Sequence, residues 1–125
     1  MDRILKRQRG FSLIEVLAAL VLLSIGLLAI AGLLVASVQG NIFSHNLMQA
    51  TYVAQGRLEF LKNVSFDSLQ LQAGNHSDGA LAISGVIFNR SYTVTVDGNL
   101  KNLTYTVIWV DGINHRISFS TIRSQ

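Results

Sequence analysis

The chain has 125 residues, half of them hydrophobic, a formal net charge of +3, no cysteine and no proline. Arg3, Lys6, Arg7 and Arg9 against Asp2 place that whole charge in the first ten residues, so the remainder is formally neutral. A nucleic-acid partner is not expected from this composition, no disulfide can staple the fold or report the redox compartment, and no proline encodes a fixed kink.

The basic leader, Met1 to Gly10, is followed at once by an apolar run beginning at Phe11. Val16 to Val38 contains no charged residue. That stretch exceeds the ~20 residues a helix needs to cross ~30 Å of hydrocarbon. Leu and Ala dominate it and favour helix, while Gly26 and Gly32 would be weak points in water but suit close helix approach in a membrane. Lys and Arg remain on the cytoplasmic side, so the rest of the chain is expected outside. Residues 1–10 are read as a basic leader, 11–38 as a transmembrane helix, and 39–125 as a head outside the membrane that includes the second half of the helix. A conventional secretory signal is the rival reading, since Ala29-Ile30-Ala31 imitates its cleavage site. The apolar run continues past that site, further than the 7–15 residues of such a signal. A plain single-pass anchor is the other alternative.

Glu15 interrupts the run near its start. A carboxylate at mid-bilayer costs at least ~2.5–3.5 kcal/mol, less near the interface. It reads either as an interfacial charge favoured by the helix dipole or as a charge that seeks a partner. A cut before Phe11 would create a free amine four residues from Glu15. In a bundle of copies, the Glu15 of one could pair with the amine of another and set axial register, because a misplaced copy leaves a buried charge unpaired.

Beyond Val38 polar residues enter, but Leu47, Ala50, Ala54, Leu58 and Leu61 keep helical spacing and form one stripe. One helix from Phe11 to about Asn63 is expected, its second half lying on a small domain, with Gly40 able to loosen the join. Ser65 to Gly85, rich in Gly, Asn, Ser and Asp, reads as loop, with Leu69 and Leu71 as tacks. Alternation predicts strands over Arg90–Val96 (Tyr92, Val94 and Val96 inward), Leu103–Val110 (Leu103, Tyr105, Val107 and Trp109 inward) and Arg116–Ile122 (Ile117 and Phe119 inward). A weak earlier strand spans Ala82–Phe88. Asp97-Gly98 and Asp111-Gly112 mark tight connections. The fold class is α+β: a long N-terminal helix packed on a small antiparallel sheet.

Nothing in the chain reads as an enzyme, cofactor or metal site. His45, His76 and His115 lack ligand spacing and read as surface or loop residues. Asp67, Asp78, Asp97 and Asp111 read as turn residues, and Trp109 as a core aromatic. There is no phosphate loop, serine elbow or cysteine nucleophile.

Gly10-Phe11-Ser12-Leu13-Ile14-Glu15 and the apolar residues after it resemble the prepilin processing motif of type IV pilin-like proteins. The resemblance implies cleavage by a prepilin peptidase between Gly10 and Phe11, N-methylation of Phe11, an assembly role for Glu15, and other major and minor pilins as partners. It implies insertion in the bacterial inner membrane with the N-terminus cytoplasmic, then residence in a pilus or pseudopilus. Ala54-Gln55-Gly56-Arg57-Leu58-Glu59 resembles the end of the long helix in minor pilins of the PilV type and in one class of type II secretion pseudopilins, and Leu103–Asp111 and Ile117–Thr121 resemble the terminal strands of PilV-type chains. The absence of a helix proline and of a C-terminal disulfide departs from many major pilins. A type II secretion pseudopilin and a membrane-anchored adhesion module are the alternative functions.

Overall fold

The computed structural model describes residues 10–125, so the basic leader lies outside the described residues except for Gly10. Helix α1 runs from Leu13 to Asn63, followed by a short 3-10 turn at Leu69–Leu71 and four strands, β1 (Gly74–Ile83), β2 (Val86–Asp97), β3 (Leu100–Val110) and β4 (Asn114–Ser124). The helix passes through Gly40 without a break. The chain divides there into two compact units, the second being Asn41–Gln125.

In the first unit every described residue is exposed, from Gly10 to Gly40. Leu, Ile and Val side chains between Leu13 and Val38 stand 44% to 79% open. An apolar helix with no buried face is unlike the one-sided surface helix of a water-soluble domain. By length and composition it is the one helix among the described residues able to cross a membrane.

The second unit is an antiparallel meander in the order β1-β2-β3-β4, with the second half of α1 on one face. Asn46, Ala50, Ala54, Leu58 and Leu61 are the buried helix residues, at steps of four, four, four and three. Ala50, Ala54, Leu58 and Leu61 meet Phe88, Tyr92, Val94, Leu103, Tyr105, Val107 and Trp109 in one core, with Leu71 added from the 3-10 turn and Ile117 and Phe119 half-buried at its margin. The period of two puts alternate residues of β3 in that core, as its pattern requires. On the outer face, hydroxyls pair across strands: Thr104 with Ser120 at 3.1 Å and Thr106 with Ser118 at 2.9 Å.

The strand boundaries correct the sequence reading at one place. Ser65–Gly85 is not loop throughout, because Gly74–Ile83 is β1 and pairs with β2 from Gly74↔Val94 to Ile83↔Val86. The expected strand Ala82–Phe88 instead straddles a hairpin: Ser84 and Gly85 turn the chain with φ of 51° and 81°. Both are positive, as a type I′ two-residue turn requires. A bulge hides β1 further, since the register slips between Ser77 and Gly79 and Gly79 takes φ of 76°. Val96 is 49% exposed, so the inward stripe of β2 ends at Val94. Leu71 enters the core as expected, whereas Leu69 is 77% exposed and tacks nothing.

Candidate processing and assembly site

Gly10 and Phe11 precede the helix in an open segment. Phe11 is 83% exposed, and nothing stands within 4 Å of where a side chain at Gly10 would begin. The folded chain therefore makes no demand for glycine at that position among the described residues. Ser12 starts the helix. Its carbonyl accepts the N–H of Val16 at 3.1 Å, and its Oγ accepts the N–H of Glu15 at 3.2 Å. This is a serine N-cap with a glutamate three residues on, the spacing of a capping box. Ser12-x-x-Glu15 before an apolar run was a readable signal for the start at Leu13 rather than Phe11. Glu15 lies in the first turn, exposed, at the end of the helix where unpaired N–H groups favour a carboxylate.

The model of the prokaryotic N-terminal methylation motif matches residues 5–31. Over those residues the motif indicates a prepilin-like protein of the type IV pilus or type II secretion kind, and the exposed apolar helix agrees with it. No curated protein matches the chain. No solved structure matches it either.

Two polar clusters in the head escaped the sequence reading. Asp78, read there as a turn residue, is the extra residue of the β1 bulge and points its carboxylate at the helix. Arg57 donates to it twice, from Nε at 2.8 Å and Nη2 at 2.9 Å, and the Tyr105 hydroxyl donates at 2.7 Å. The Arg90 guanidinium donates to its backbone carbonyl at 2.7 Å. Burial pushes the Asp78 carboxyl up, but the hydrogen bonds from Arg57 and Tyr105 outweigh it and hold the group below its ordinary value. Burial, then the bond to Asp78, raises the Tyr105 hydroxyl. The position of Asp78 depends on a bulge, and one chain offers no pattern that announces a bulge.

Asp111 anchors the second cluster. Asn46 donates to its Oδ2 at 2.9 Å, Trp109 Nε1 at 3.4 Å, and His115 Nε2 lies 2.5 Å from Oδ1. The Asn46 bond leads in holding this carboxyl below its ordinary value. His115 is thus no surface residue: its ring lies between Phe43, with centroids 4.8 Å apart, and Trp109, at 5.2 Å. At the other end of the helix, Arg123 donates to the Leu61 carbonyl at 3.1 Å and Lys101 to the Phe66 carbonyl at 2.6 Å. Cations at a helix C-terminus complement its dipole. Among the described residues, no group of three His, Cys, Asp or Glu is placed to hold a metal ion.

Proposed function

We propose that the chain is a minor pilin of the PilV type, processed by a prepilin peptidase and then incorporated into a type IV pilus or used to prime one. The observation that carries this reading is the match over residues 5–31 falling on Gly10 and Phe11, a capped helix start and a first-turn carboxylate. The peptidase cuts between Gly10 and Phe11 and methylates the new amine on Phe11. A glycine suits the cut because the enzyme must bring the backbone close. The leader stays cytoplasmic by its charge, and the head stands outside the inner membrane. Within the filament, Glu15 of one subunit pairs with the Phe11 amine of a neighbour. A rigid structural role, without catalysis, fits a head whose polar groups are engaged in holding helix to sheet.

Mass analysis of the N-terminus in cells that contain the peptidase tests the first step. Methylated Phe11 is the expected result. An intact leader, or an N-terminus at Gly32, overturns it. Co-purification from native membranes then separates the assemblies: type IV pilus subunits are expected, and secretion-system pseudopilins would assign the chain to that machinery instead.

A further inference from the structure

The end of the head where the chain enters it is apolar and almost without charge. Ile42 is 50% exposed, Ile87 57%, Val110 58% and Ile113 68%. Ile42, Val86 and Val110 line one shallow hollow with Asn41, His45, Asn46, Ser84 and Asp111, which gathers the helix entry and the β1–β2 and β3–β4 turns at a single end. Residues 41–46, 84–87 and 110–114 contain no Lys, Arg or Glu, and their one Asp, Asp111, has its carboxylate engaged by Asn46, Trp109 and His115. The opposite end differs: Lys62, Asp97, Lys101 and Arg123 gather where the helix ends and β2 turns into β3.

The chain places the apolar end beside lipid. Three residue steps separate Val38, the last residue of the apolar stretch, from Asn41. At no more than ~3.6 Å per residue, the head begins within about 11 Å of the end of the apolar stretch in any conformation. In the unbroken helix the same three steps rise only about 4.5 Å, within the ~5–8 Å headgroup layer on each side of the hydrocarbon. Exposed Ile and Val beside such a layer lose water by entering it, at about 25 cal/mol per Å² of apolar surface.

We propose that Ile42, Ile87, Val110 and Ile113 form a lipid-seating surface that rests in the headgroup layer while the protein is membrane-anchored and outside a filament. The proposal rests on the membrane-anchored reading of residues 11–38 and adds a second, reversible contact. Leaving the membrane then requires this patch to be released.

The chain has no cysteine, so a single introduced one carries a unique nitroxide. The full chain is placed in nanodiscs at one copy per disc, with a nitroxide at Leu28→Cys, Ile113→Cys or Asn99→Cys, and with or without a lipid carrying Ni²⁺ on its headgroup. Asn99 lies in the turn at the far end of β3, about 33 Å away along the strand. The expected result is nickel-dependent relaxation at 113, none at 99, and oxygen access typical of the bilayer interior at 28. Replacing Ile87→Asp and Val110→Asp together, both at exposed positions, abolishes the effect at 113. Buried behaviour at 28 with equal relaxation at 113 and 99 overturns the seating surface and leaves the anchor intact. Absence of bilayer behaviour at 28 overturns the anchor itself. An effect at 113 that arises only at two or more copies per disc assigns the patch to a second copy and also overturns the proposal.

Discussion

Asp78 collects bonds from three elements: Arg57 on the helix, Tyr105 on β3 and Arg90 on β2. Asp78→Ala leaves Arg57 and Tyr105 unpaired in a half-buried setting. A loss of about 1–3 kcal/mol is expected, discounted for partial solvent screening. Trp109, the one tryptophan and buried, reports it by fluorescence during unfolding in detergent. The same group sets a pH dependence. Its carboxyl and that of Asp111 lie below their ordinary values, so below pH ~4 the unfolded chain binds more protons and stability falls. Tyr105 and Tyr92 are raised, so their contribution is complete below pH ~10 and is lost as the unfolded chain ionises above it. Unfolding midpoints against pH should form a plateau with both shoulders, and Tyr105→Phe should flatten the alkaline one. For Glu15, the capping-box spacing supplies a control. Glu15→Gln keeps hydrogen-bonding capacity at the helix start and removes the charge. If charge pairing drives assembly, Gln and Ala forms are equally poor in filament incorporation at equal membrane levels, and Asp recovers little, being one methylene short. Normal incorporation of the Ala form would leave Glu15 as a helix-end residue alone.

At the scale of elements, the helix contributes its core through small residues at close approach and Leu at the far end. Leu58→Ala should cost about 2–5 kcal/mol, near the lower figure because Leu58 retains slight exposure. In a head of this size each kcal/mol moves the midpoint by roughly 4–8 °C. Gly79→Ala tests the bulge: its φ of 76° strains any other residue, so a lowered midpoint is expected although the space is open. The helix stripe and the inward faces of β3 and β4 were legible because burial on one side writes its period into the chain. β1 was not, since Asn75, Ser77, Asp78 and Gly79 imitate a loop while serving a polar outer face and a bulge. Asp111 was hidden for a related reason. Its partner Asn46 lies 65 residues away, and a long-range polar contact leaves no local spacing to read.

For the whole molecule, two surface chemistries divide the described residues. Residues 13–40 bury no side chain and satisfy their backbone within one helix, the condition a bilayer sets for a spanning segment. The head has a water-style core closed by a neighbour-to-neighbour meander. That connectivity has a kinetic consequence. Each strand finds its partner across a turn of two or three residues, so hairpins can form on the microsecond scale. The bonds from Asn46 to Asp111 and from Arg123 to Leu61 span 65 and 62 residues, and their loop-closure entropy must be met separately. The sheet can therefore zip early, while docking of the helix waits for β4. Until then the apolar face of the sheet stands open, and that interval is when the chain is most exposed to proteases and to other sheets.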